Sequence, residues 1–508
     1  MQITAKAYRK HIIALLDLTY YKSPYKIMKG EIMSRSGRAN VNMANKLFYG
    51  IGDFGFNMVI NTLGSFMMYF GTIVNGIPGS LMGLAIAISM VWDAITDPIA
   101  GFLSDKQNSL LFGKRHGFML IGLFGLVIVN ALLWSLPADI SMAGKFFWIL
   151  SFILLLRTFS TMYQTPAAAL GVEISDNINE RTQIQSIRAI FLIIAIIVPV
   201  IIMGIFEGKY GLENPVIYRN MAYINGCLCL VAGLIAIIGT YSYLPRLRGN
   251  QVKTKSADKF SLKGIFVNFI EALKDNNIRS IIGGFTTSMM SIVFLSSLMI
   301  HVLKFTFKLN NIFVLMGAVF IMTILSQPLW IVVSRKYDKK TALFAGLISA
   351  LAGTCLFLGV IIFRLTLIEK GIIFWILLPI LSLMGMGAGA MYSMPLSMLG
   401  DTLSYMENGK GDEKTATYTG YTTLANKLSQ SITLLFIGIM LDIIGFEEGN
   451  ALSQPIRVQW ALGFMLIFGI SLSLIGGIVF YRQYSLRKED LLKILQSDIS
   501  EQVKEDFI

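Results

Sequence analysis

Histidine and cysteine are almost missing from this chain, with three of each in 508 residues. So few soft ligands exclude a structural zinc cluster or a disulfide framework. Cys227, Cys229 and Cys355 all sit in apolar runs and read as small hydrophobic residues. Charge is also scarce, at 14% of residues against 55% apolar, and this balance excludes an ordinary soluble domain. Nothing resembles a nucleophile with its base, or a phosphate-cradling loop followed by Lys and Ser or Thr. No enzyme, no cofactor and no nucleotide-driven pump is expected. The net charge of +13 raises nucleic acid as a partner, but in a membrane chain it first asks which side holds the basic residues.

What is present is long apolar runs. Windows of about twenty residues, the length a bilayer requires, fall near 47–74, 79–104, 117–137, 146–170, 187–206, 221–244, 278–305, 311–334, 340–363, 371–398, 417–443 and 457–481. Residues 1–44 are basic and polar before the first of them, so no cleavable signal peptide is expected. With the N-terminus inside, 32 Lys and Arg face the cytoplasm and 8 face out. That bias predicts a multi-pass protein of the cell membrane with both termini cytoplasmic.

The predicted fold is all-α, with twelve transmembrane helices in two six-helix halves. Its divisions are a basic extension (1–45), a first half (46–244), a cytoplasmic central loop (245–277), a second half (278–482) and a tail (483–508). In the extension, His11 to Leu16 could lie as an amphipathic segment on the anionic leaflet. Gly101 is read as ending the second span, ahead of a basic turn at Gly113-Lys-Arg115. The 6 + 6 plan with a basic central loop is that of major facilitator transporters, whose substrate sites lie near the midplane between halves.

Ionisable residues inside spans are expensive and mark function. Asp93 and Asp97 are four apart, which puts both on one helical face. Counted from Gly79 at about 1.5 Å per residue, they lie roughly 21 and 27 Å into the bilayer. Pro98 removes a backbone donor, leaves the Ala94 carbonyl free and disfavours helix at Asp97. Oxygen ligands of this kind suit a monovalent cation, Na+ or H+. Asp53, Asn57 and Asn61 form a polar stripe on the first span, and Arg157, Thr161 and Gln164 share a face of the fourth. Arg188 and Lys427 complete the cations within spans. Lys427 lies at a depth near Asp97 and is expected to bridge the halves as a gate. His301 reads as a satisfied or interfacial histidine.

Lys46-Leu-Phe-Tyr-Gly-Ile-Gly-Asp-Phe-Gly55, Trp92-Asp-Ala-Ile-Thr-Asp-Pro98 and Asn426-Lys-Leu428 together resemble the glycoside-pentoside-hexuronide:cation symporter family, over about residues 45 to 490. The resemblance implies a symporter that couples Na+, or H+, to a sugar or glycoside. It makes Asp93 and Asp97 the cation ligands, with Thr96 and Thr423 nearby, and ties Lys427 to them. Asp401 with Tyr405 is similar to the family's polar end of the tenth span, so Lys427, Asp53 and Asp401 become the gating residues. Asn57, Gln164, Arg157, Arg188, Trp92 and Lys427 are the expected substrate contacts, Trp92 by stacking on a sugar ring.

Asn57 and Gln164 stand where the melibiose carriers of the family have acids, which sets this chain apart from them. Arg157 replaces a small residue. It is expected either to fork onto a substrate carboxylate, as in a hexuronide, or to pair with Asp53 or Asp93. Alternatives are a lysolipid or amphiphile carrier of the same family, and a transport-inactive sugar sensor. Partners are a sugar or glycoside, a monovalent cation and the bilayer, with no nucleic acid, and the chain is expected to be a monomer.

Overall fold

The computed structural model describes residues 41–106, 113, 115–175, 178–243, 262–406 and 412–486. The first six passes are α1 (Met43–Tyr69, continued as a π-helical turn Phe70–Val74), α2 (Gly79–Lys106), α3 (His116–Leu133), α4 (Met142–Glu173), α5 (Ile178–Tyr210) and α6 (Pro215–Tyr241). A linker helix α7 (Leu262–Ala272) precedes α8 (Asn276–His301, with a π-helical turn Val302–Thr306). The eighth pass is split into α9 (Ile312–Leu325) and α10 (Gln327–Lys336). α11 (Lys339–Ile362), the short α12 (Arg364–Glu369), α13 (Ile373–Met406), α14 (Asp412–Ile444) and α15 (Ile456–Arg482) complete the bundle.

Among the described residues, eleven passes are long and apolar enough to cross a membrane. The exception is α1, 27 residues long, in which Lys46, Asp53, Asn57 and Asn61 dilute the apolar content. It is nonetheless packed between α5 and α6. Helix is the expected state of every pass, because in hydrocarbon each backbone N–H and C=O must be satisfied within its own segment.

Each half has its own packing partners. In the first, α1 packs on α6 and α5, and α4 on α3 and α2; in the second, α13 packs on α11 and α9, and α8 on α15. Three seams join the halves: α2 against α14, α5 against α9, and α1 against α8.

The α2–α14 seam is the tightest and its sequence explains it. A Cβ on Gly79 would lie 2.7 Å from the Gly438 carbonyl oxygen, and one on Gly83 would lie 2.7 Å from that of Leu434. Only hydrogen fits between these backbones, the close approach that small residues allow in membrane helices. Gly83→Leu is therefore expected to force α2 and α14 apart. Overpacking of this kind costs about 1–3 kcal/mol, so the variant should remain folded by thermal melting in detergent while losing most transport.

Two readings of the second span change. Helix α2 runs unbroken through both Pro98 and Gly101 to Lys106. Gly101 is not its cap, and Pro98 does not end it, because the next turn is held by the neighbouring helices rather than by local propensity. Gly113, by contrast, has φ of +61° and does make the turn. Within the stretch 245–277, read as a loop, α7 is a helix. Phe269 of α7 stacks edge-on against Tyr421 of α14. The amphipathic segment expected at His11 to Leu16 lies outside the described residues.

Candidate functional site

Two ion-pair clusters occupy the interior of the first half. In one, α1 and α5 meet: Arg188 Nε donates to Asp53 Oδ2 at 2.5 Å. Gln164 from α4 lies beside Asp53, and its Oε1 is buried without a partner. Asn57 turns back along its own helix and donates to the Asp53 carbonyl at 2.8 Å.

The other cluster lies where α2 faces α4 and α14. Lys427 Nζ sits 2.8 Å from Asp93 Oδ2 and 2.5 Å from Asp97 Oδ2, so one ammonium from the second half clasps both acids of the first. The Thr161 hydroxyl lies 3.2 Å from Asp93 Oδ1 and 3.1 Å from Asp97 Oδ1, bridging the carboxylates from the opposite side. Thr96 is 3.4 Å from Thr161 Oγ1 and donates to the Asp93 carbonyl at 3.3 Å. Arg157 Nη1 approaches Asp93 Oδ2 to 3.6 Å, an ion pair too long to be a hydrogen bond. Its Nη2 points at the Met90 sulfur, 3.5 Å away, and its Nε is buried without a partner.

The two acids are not equivalent. The side chain of Asp93 is 8% exposed and that of Asp97 is 37% exposed. Asp93 is sealed behind its cations, whereas Asp97 faces open space. Two carboxylates face two cations here, so the site is neutral as it stands. Among the described residues no group of three or more His, Cys, Asp or Glu is placed to hold a metal ion. A pair of carboxylates with hydroxyls nearby suits a weakly held, exchangeable monovalent ion rather than a resident metal.

Several expected members lie elsewhere. Asp401 pairs with Lys339 at 2.6 Å, joining α13 to α11 inside the second half. It does not reach Lys427 or Asp53. Thr423 is exposed and donates to the Thr419 carbonyl one turn back, apart from the acidic pair. The Trp92 ring is 41% exposed, and its Nε1 donates to Thr158 at 2.9 Å. Arg157 pairs with Asp93 rather than Asp53. Thr161 is the one member not put forward as an ion ligand beforehand, although its place between Arg157 and Gln164 on one face of α4 carried the signal.

The other contacts between halves lie beyond Lys427, toward the face opposite the two ends of the bundle's chain. Ser431 donates to the Ala87 carbonyl at 2.9 Å, and the Asp442 carboxylate accepts from the Ser80 N–H at 3.0 Å. His301, fully buried rather than interfacial, lies 3.1 Å from Thr72 Oγ1 and packs edge-on against Tyr69 and Phe446. The halves are thus clasped across one face, with Lys427 as the innermost link.

This arrangement of two clasped six-helix halves has known counterparts. The profile of the family described as MFS/sugar transport protein matches residues 48–488. The chain belongs to that family. This major facilitator is 23% identical over 486 residues to the sodium-dependent lysophosphatidylcholine symporter 1 of Gallus gallus, covering 90% of this chain and 89% of that one. It is likewise 23% identical over 556 residues to an uncharacterized symporter of Synechocystis sp. (strain ATCC 27184 / PCC 6803 / Kazusa), covering 93% of this chain and 98% of that one. Among solved structures, a D-xylose-proton symporter superposes with a TM-score of 0.59 at 14% sequence identity, covering 86% of this facilitator and 97% of its own chain. The facilitator is therefore a multi-pass secondary transporter that moves a small molecule across a membrane.

Proposed function

We propose that this transporter is a cation-coupled symporter of the glycoside-pentoside-hexuronide type, with the coupling ion at Asp93 and Asp97. The observation that carries this reading is the single ammonium of Lys427 clasping both acids across the seam between halves. An ion arriving at the pair competes directly with the link that holds the halves together, and this is how ion binding can bias a two-state bundle. Na+ is favoured by the sodium dependence in the name of the lysophosphatidylcholine symporters. Thr161 and Thr96 supply further oxygens. Asp53, Arg188, Gln164 and Asn57 form the polar wall against which the substrate sits. With the termini cytoplasmic, as the distribution of basic residues predicts, the clasped face is the outer one.

A second reading, an amphiphile carrier, is favoured by one feature. An apolar, partly open groove lies between α8, α9 and α13, lined by Ile292, Leu295, Met299, Met316, Phe320 and Tyr392. Such a surface accepts an acyl chain or an apolar aglycone as readily as a sugar ring accepts the polar wall.

Uptake into proteoliposomes decides between these. Na+-gradient-driven accumulation of a member of a sugar and glycoside panel, abolished in Asp97→Asn, is the expected result. Accumulation of lysophosphatidylcholine instead supports the second reading, and flux indifferent to Na+ and to Asp97→Asn sinks the ion assignment.

A further inference from the structure

Arg157 is a buried cation whose hydrogen-bonding capacity is largely unspent. Guanidinium paired with carboxylate normally reaches about 2.7–2.9 Å, often through two parallel bonds. Here the distance to Asp93 is 3.6 Å, the nearest hydrogen-bond acceptor is the weak Met90 sulfur, and Nε has no partner at all. A buried guanidinium left with an unpartnered donor calls for an explanation, and a ligand the site is built to take supplies one.

Charge balance says which ligand. As observed, Asp93 and Asp97 are neutralised by Arg157 and Lys427. Adding Na+ would leave one positive charge in excess, in a region where an uncompensated buried ion is strongly disfavoured. Adding an anion alone would leave one negative charge in excess. Adding both restores neutrality.

We propose that Arg157 is the receptor for an anionic group on the substrate, and that it is freed for that group only when the coupling ion takes its place beside Asp93. This rests on the ion assignment above and adds to it the substrate's charge. Ion and anion then each favour the binding of the other, which is coupling by electroneutrality. The carboxylate of a hexuronide and the phosphate of a lysolipid share the required chemistry.

Equilibrium binding of radioactive Na+ to the purified full chain in nanodiscs tests this. The probes are methyl glucuronide with its neutral partner methyl glucoside, and lysophosphatidylglycerol, a lysolipid of net charge −1, with its neutral partner monoacylglycerol. For the wild type, one of the two anion-bearing probes should tighten Na+ binding about tenfold or more, in the range of ordinary coupling, and its neutral partner should not. Which probe does so identifies the source of the anion. In Arg157→Gln, Na+ should bind about tenfold more tightly without any probe, and the probe should lose its effect. Arg157→Lys keeps the charge and should keep wild-type Na+ affinity, which separates competition from misfolding. Unchanged or weaker Na+ binding in Arg157→Gln overturns the proposal, as does tightening by neither anion. Na+ binding that survives Asp97→Asn, or that neither wild type nor Arg157→Gln shows, instead overturns the ion assignment beneath it.

Discussion

Lys427→Ala should abolish ion-driven uptake and destabilise the bundle in the same stroke. The ammonium it removes is 2.8 Å from Asp93 and 2.5 Å from Asp97. Without it, Arg157 at 3.6 Å is the only cation left for two carboxylates among the described residues. Breaking a buried pair by deleting one partner typically costs about 3–5 kcal/mol, because the other charge is stranded. The cost here should fall toward the lower end, since Asp97 is 37% exposed and water screens it. Thermal melting in detergent and uptake in proteoliposomes check both halves of the expectation. Lys427→Ala combined with Asp97→Asn should recover much of the stability and none of the coupled flux. If the single variant melts as the wild type does and still concentrates substrate on a Na+ gradient, Lys427 is not the link between ion and gate.

The second large effect is expected away from the seam. Arg188→Ala strands Asp53, whose side chain is 5% exposed and whose charge is otherwise met by that guanidinium at 2.5 Å. The Gln164 amide beside Asp53 is neutral and cannot replace a full charge. A loss of about 3–5 kcal/mol is expected, near the upper end because Asp53 is sealed from water. Arg188→Ala with Asp53→Asn should restore the melting temperature to within a few degrees, since both charges are then gone. Uptake should stay low in the double variant, because the polar wall has lost its two strongest hydrogen-bonding groups. Restored stability with full uptake would reduce the pair to a structural brace.

The passes and their ionisable residues were legible from the chain alone. A bilayer imposes a length of about twenty apolar residues, so each span announces itself locally. Spacings of three and four place Asp93 with Asp97, and Arg157 with Thr161 and Gln164, on single faces whatever the rest of the bundle does. The depth of Lys427 near that of Asp97 was also a matter of counting. The identity of the partners was not. Asp401 shows why: its position at the end of a span is readable, but Lys339 claims it from a neighbouring helix of the same half. Thr423 is one turn from Lys427 on the same helix, yet it is exposed and its hydroxyl is spent on the Thr419 carbonyl.

By itself, then, the sequence determined a twelve-pass membrane bundle with a carboxylate pair on one face of its second helix and a small set of cations able to answer it. Those features follow from periodicity and from the energy of charge in hydrocarbon, and both act on one helix at a time. Only the tertiary structure decided that Lys427 takes both acids, that Arg157 stands beside Asp93 with donors unspent, and that Arg188 belongs to Asp53. Pairing between helices depends on their rotation and relative depth, which are set by contacts such as the glycine seam of α2 and α14 rather than by any local signal.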